Sequence, residues 1–278
     1  MPASECEDLM QRGEEMAKLG RNEDAMTLFR QAASCWEGWE RFGRAADSYE
    51  RAYEHAMLAG HHADAATTIL RAASMWLRQG EHDRFELDCQ IASEAYISAA
   101  ESEKNPERLI DGAFCAIMGG DMELARQIIH AAAEGTRGRS RELINLALML
   151  SEYQFGDADK YIEAAIKRKM TREGVEQVRT WFLYIFAGFV RTSLESELAV
   201  TLESLSISTG LDVGKIEDLV NRGIELGLIP AYLDQESHEL IVESDRADIP
   251  SLARRKRPIM SSDLKDPGAW DIEFEEDD

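Results

Sequence analysis

Residues Leu58 to Gly80 read Leu-Ala-Gly-His-His-Ala-Asp-Ala-Ala-Thr-Thr-Ile-Leu-Arg-Ala-Ala-Ser-Met-Trp-Leu-Arg-Gln-Gly. Glycines, Gly60 and Gly80, bracket the segment. Between them the small Ala65, Ala66, Ala72 and Ala73 interleave with Ile69, Leu70, Met75, Trp76 and Leu77 at helical spacing. The same pattern follows Gly20 (Ala25, Phe29, Ala32, Ala33, Trp36) and Gly43 (Tyr49, Ala52, Tyr53). It returns after Gly120 (Ala125, Ile128, Ile129, Ala132) and Gly156 (Tyr161, Ala164, Ala165). Glycine closes a helix by taking the left-handed conformation, and acids such as Asp24 and Asp121 suit the opening of the next. Alanines let helices approach closely, and aromatics fill the gaps between them. A unit of this kind cannot bury its apolar face alone, so neighbours must stack on it. The expected fold is mainly α, a helical-repeat solenoid.

Composition narrows the function. In 278 residues, 53 acids against 31 bases give a formal charge of −22. Such a charge disfavours nonspecific nucleic-acid binding and attraction to an anionic membrane surface. No apolar run reaches the length of a membrane span, and the acidic start Met1–Asp8 lacks the pattern of a signal peptide. The four cysteines, Cys6, Cys35, Cys89 and Cys115, stand far apart without a CxxC pair. They read as reduced thiols, mostly buried, in a cytoplasmic protein.

Helices are expected at about 5–19, 22–35, 44–58, 62–79, 83–101, 106–118, 122–134, 140–153 and 157–169, with Asn22 capping the second. Trp36 to Gly43 reads as a turn whose three aromatics wedge adjacent helix pairs together. Gly135 to Arg141 is a basic loop in an acidic chain, and Arg137, Arg139 and Arg141 are candidate contacts for an acidic partner segment. A solvated loop near the C-terminal dipole of the preceding helix accounts for it equally well.

The segments Ala-Ala-Asp-Ser-Tyr-Glu-Arg-Ala-Tyr at 45–53, Asp-Ala-Ala-Thr-Thr-Ile-Leu-Arg-Ala-Ala at 64–73 and Asp-Met-Glu-Leu-Ala-Arg at 121–126 resemble tetratricopeptide-type repeats. The likeness is closest to the SNAP family of adaptors for the NSF disassembly ATPase, over roughly residues 5–170. It rests on packing residues and implies a right-handed α-α solenoid. For a SNAP-like adaptor of a AAA ATPase, the resemblance assigns the acidic C-terminal contact to Glu275, Glu276, Asp277 and Asp278.

Val178 to Val190 is the most apolar run and reads as a helix buried all round, joining the repeats to a C-terminal module. That module shows a short extended piece at 200–202, a short helix at 203–208, a turn at 209–212 and a helix at 213–227. Strands at 229–234 and 239–242 then pair as a hairpin, the element order of a winged helix. Thr-Leu-Glu-Ser-Leu at 201–205, Thr-Gly-Leu at 209–211, Ile-Glu-Asp-Leu-Val at 216–220 and Gly-Leu-Ile-Pro-Ala-Tyr-Leu-Asp at 227–234 resemble the winged helix of PCI-domain proteins. These are scaffolds of the proteasome lid and related complexes. The helix that would enter a DNA groove sets Lys215 and Arg222 against Glu217, Asp218 and Glu225, which disfavours duplex readout. The expected organisation is a solenoid at 1–174, a linker helix and winged helix at 175–243, and a tail at 244–278.

The tail holds the basic run Arg254-Arg255-Lys256-Arg257, which reads as an import signal, a contact for an acidic partner or a tether to the protein's own acidic face. Beyond Pro267-Gly268, Trp270, Ile272 and Phe274 alternate with acids and suit an extended docking peptide, on a partner or on the chain itself. No nucleophile elbow, phosphate loop, dinucleotide fingerprint or metalloprotease motif occurs, so neither an enzyme nor a cofactor is expected. His55, His61, His62 and His82 lie near one another in sequence, and His61-His62 reads as a polar helix cap rather than a metal site. The expectation is a cytoplasmic, non-enzymatic scaffold or adaptor that binds other proteins, in a multi-subunit complex or with a AAA ATPase. The reading from another class is a winged-helix regulator that binds nucleic acid.

Overall fold

A computed structural model describes residues 3–135, 140–197 and 199–242, which belong to two compact units dividing between Ser140 and Arg141. The first unit is built from α1 (Ala3–Lys18), α2 (Asn22–Gly38), α3 (Phe42–Leu58), α4 (His62–Gln79), α5 (His82–Glu103), α6 (Arg108–Met118) and α7 (Met122–Gly135). Each of these helices packs against the next in the chain.

The turns share one geometry at a fixed interval. Gly20, Glu40, Gly60 and Gly80 all have positive φ. The next amides, of Arg21, Arg41, His61 and Glu81, bond the carbonyls of Met16, Trp36, Ala56 and Trp76. This is the Schellman closure, and it repeats every 20 residues along those positions. α5 overruns to a left-handed Lys104, and the short α6 restores the interval, so that Gly120 again closes a helix.

The core inherits that interval. Ala32, Ala52, Ala72, Ala92 and Ala132 are buried in successive helices, with Gly112 buried at the intervening place. Small side chains at one height let each backbone approach its neighbour. Phe29, Tyr49, Ile69 and Cys89, three residues earlier, fill the volume beside them.

Three expectations are corrected here. Gly43 and Gly156 lie inside helices, and the left-handed residues of those turns are Glu40 and Tyr153. Helix length, rather than the presence of glycine, sets where the turn falls. The segment 36–43 is not one long turn either: Trp36 is buried in α2 beneath the Arg44 guanidinium at 4.7 Å, and Phe42 starts α3. Finally, Cys6 and Cys35 are joined in a disulfide. α1 and α2 pack as neighbours, which brings their Cα atoms to 5.5 Å across a sequence separation of 29. Linear spacing hides such a pairing, and the cysteine count no longer argues for a reducing compartment. Cys89 and Cys115 are free and buried.

The second unit contains α8 (Ser140–Ser151, from Arg141 on), α9 (Phe155–Tyr161), a π turn (Ile162–Ile166), α10 (Lys167–Lys169) and α11 (Arg172–Ser196). β1 (Ala199–Thr201), α12 (Leu202–Thr209), α13 (Val213–Glu225), β2 (Ala231–Asp234) and β3 (Glu239–Val242) follow. The strands form an antiparallel sheet in the order β1-β3-β2, with Val200 and Leu233 both paired to Leu240. Thr201 caps α12 by accepting from the Ser204 amide, and Asp212 caps α13 by accepting from Lys215. Trp181 to Ala187 are all buried in α11, as the apolar run predicts. Further along α11, Arg191 donates to the Leu228 carbonyl at 2.9 Å. Among the described residues no helix is long and apolar enough to cross a membrane.

Candidate functional site

The 20-residue interval exposes one side chain that breaks it. Ser48, Thr68 and Asp88 occupy the same place in α3, α4 and α5, and all three are buried. The Ser48 hydroxyl donates to the Arg44 carbonyl at 2.7 Å, and the Thr68 hydroxyl donates to the Asp64 carbonyl at 2.6 Å. A hydroxyl inside a helix satisfies itself on the carbonyl four residues back. A carboxyl at the same place in α5 has a proton to give only in its neutral form. Asp88 is only 4% exposed, and its Oδ2 has no hydrogen-bond partner.

Its surroundings are acidic. Burial, with the Glu50 charge from α3 adding to it, pushes the Asp88 carboxyl up to about 8, against the opposing pull of Arg84. Glu50 is half-buried and is also raised, by desolvation first and by Asp47 and Glu54 after it. The Trp76 indole donates to Glu50 Oε1 at 2.6 Å and fixes that carboxylate. Half-buried Tyr53 is raised by desolvation and by Glu94, Glu54 and Asp88. Arg84 stands four residues before Asp88, the spacing of a helical ion pair. Its guanidinium instead covers the Trp76 ring at 4.1 Å and approaches Asp47 at 3.9 Å. α3 and α5 thus present exposed Asp47, Glu54 and Glu94 around two buried or half-buried carboxyls. Such a face attracts cations.

Of the sequence candidates, Arg137, Arg139, Trp270, Ile272, Phe274, Glu275, Glu276, Asp277 and Asp278 lie outside the described residues, as does Arg254–Arg257. Arg141 is described and is exposed in the first turn of α8. The histidines do not converge: His55 Nδ1 meets Asn22 Oδ1 at 3.0 Å, and His61 Nε2 meets Glu23 Oε1 at 3.3 Å. His61 takes the N-cap place of α4 without a side-chain cap, because the tight turn leaves its ring directed to Glu23 rather than back to the helix amides. Asn22 likewise sits inside α2, the N-cap place falling on Arg21. Among the described residues no group of three or more His, Cys, Asp or Glu is arranged to hold a metal. Sequence reading missed Asp88 and Glu50 as a pair, although an acid 40 residues after an inward Ser48 and 20 after Thr68 was the available signal.

No protein-family model matches the chain, and no curated protein matches it in sequence.

Proposed function

We propose that this protein is a non-enzymatic scaffold or adaptor that binds other proteins on the surface of a tetratricopeptide-like solenoid. The observation that carries the reading is the acidic face of α3 and α5, where carboxylates are kept at a cost on a regular helical frame. Stacked helix pairs serve as rigid platforms for extended or helical partners, and surface acids speed and orient encounter. In this reading the β1-to-β3 module is a PCI-like winged helix used for protein contact. The tail residues Trp270, Ile272, Phe274 and Glu275–Asp278, with Arg137, Arg139 and Arg141, are further candidate contacts. An adaptor role toward a AAA ATPase is the form that the SNAP resemblance favours.

Nucleic-acid binding has less support. Lys215 Nζ pairs with Asp159 at 3.0 Å and Arg222 with Glu225 at 3.4 Å, so the cations of α13 are already engaged within the unit. The test is affinity capture with the full chain followed by cross-linking of the bound partner. Cross-links concentrated on α3 and α5 are expected. A chain that captures no protein but forms a sequence-selective duplex complex at physiological salt contradicts the proposal.

A further inference from the structure

We propose that the corner between α10 and α11 receives the chain's own acidic segment, residues 271–278, in an intramolecular contact. The proposal concerns the chain without a partner and stands apart from the scaffold reading. Neighbouring residues build the corner. Ile166 and Met170 are buried, and a Cβ added at Gly174 would lie 2.9 Å from the Met170 methyl. With those two side chains turned inward, Lys167, Arg168 and Lys169 are all exposed between them. The backbone extends at Met170, and Thr171 opens α11 by accepting from the Gly174 amide at 3.1 Å. Arg172 follows, its side chain 92% exposed. Residues 167–172 thus hold four cations and no acid, the densest basic run among the described residues.

Nearby acids neutralise this corner only in part. Glu163 serves both Lys167, at 3.2 Å, and Arg179, while Glu142 serves Lys169. Arg172 Nε meets Glu176 at 3.3 Å. Ion pairs this exposed are weak, so their cations stay available to a second carboxylate. Arg168 makes no ion pair among the described residues. The occupant follows from charge and reach. Asp271, Glu273, Glu275, Glu276, Asp277 and Asp278 crowd one segment of a chain whose formal charge is −22. Most of the surface repels such a segment, and the corner attracts it. Other cations of the second unit are engaged inside it, Arg191 on the Leu228 carbonyl, Lys215 on Asp159 and Arg222 on Glu225. Residues 243–270 form a tether that can span roughly 90 Å, against a radius of gyration of about 13 Å for a unit of about 100 residues. The segment therefore reaches any point on the second unit. A tether holds its end at an effective concentration of about millimolar, so ion pairs of only millimolar affinity close the contact half the time.

The experiment uses the full chain with a nitroxide attached at Gly268→Cys, followed by nitrogen-15 NMR at about 0.15 M salt. Cys89 and Cys115 are buried and Cys6 and Cys35 are joined, so the label goes to the introduced thiol alone. Amides of residues 167–173 should lose about half their intensity or more, relative to the same sample after the nitroxide is reduced. Arg168→Glu combined with Arg172→Glu should restore most of that intensity. Neutralising the other side, with Glu275→Gln, Glu276→Gln, Asp277→Asn and Asp278→Asn together, should do the same and leaves the corner untouched. Arg126→Glu, at an exposed cation of α7, should leave the loss as it is in the wild type. Undiminished amides at 167–173 in the wild type overturn the proposal, even where an added duplex or acidic peptide shifts them. A loss that survives both the corner and the segment variants overturns it too, as does one centred on Arg137–Arg141 or one that Arg126→Glu removes equally.

Discussion

The two units solve the packing problem differently. In the first, one set of small residues recurs every 20 positions from α2 to α7, so these helices approach one another through the same kind of contact. In the second, single close approaches replace the interval. A Cβ added at Gly156 would lie 2.2 Å from the Gly210 carbonyl oxygen, and one at Gly223 would lie 2.6 Å from Ile229 Cδ1. A repeated frame tolerates variation and makes any departure conspicuous, whereas a frame of unique contacts hides function among its necessities. Asp88 is conspicuous for that reason.

The sharpest way to break the comparison is Gly156→Ala. The clash is with backbone, which cannot rotate away, and the expected loss is about 4 kcal/mol or more, enough to unfold the second unit. Circular dichroism melting checks this, and a variant that melts with the wild type denies the close approach of α9 to the turn before α13. Next in size is Asp88→Asn. The folded carboxyl titrates at about 8 and the unfolded one near 3.8. The folded state therefore holds a proton that the unfolded state releases, so stability is full below about pH 4, falls as pH rises toward 8, and is level above. At pH 7 the penalty is at most roughly 4 kcal/mol, and the neutral asparagine should recover part of it and flatten the fall. Urea unfolding at pH 5 and pH 8 for both proteins measures it, and parallel pH slopes would refute the buried-acid assignment.

The smallest effect belongs to the turns. Glu40 holds φ +56 where Gly20, Gly60 and Gly80 hold the same conformation without a Cβ. Glu40→Gly should stabilise by about 1 kcal/mol, and Gly60→Ala should cost a similar amount. Equal and opposite shifts in melting temperature confirm a common turn, and a destabilised Glu40→Gly excludes it.

Much of this frame was legible in the residues. The bounds of α4 and the strand, helix, helix, hairpin order after Ser196 follow from apolar spacing and from caps such as Thr201 and Asp212, which act locally. What escaped depends on contacts distant in sequence. Glu40 and Tyr153 carry no mark of a left-handed turn, Cys6 and Cys35 meet only after α1 packs on α2, and Gly156 serves a neighbour more than 50 positions away. Asp88 escaped for another reason. As a lone letter it is an ordinary helical acid, and only its alignment with Ser48 and Thr68 shows that it points inward.

The most direct measurement of the buried acid in the repeated frame is a carbon-13 NMR titration of the Asp88 carboxyl in the full chain. Burial at the place of Ser48 and Thr68 predicts a midpoint near 8. A midpoint in the ordinary carboxylate range would contradict it.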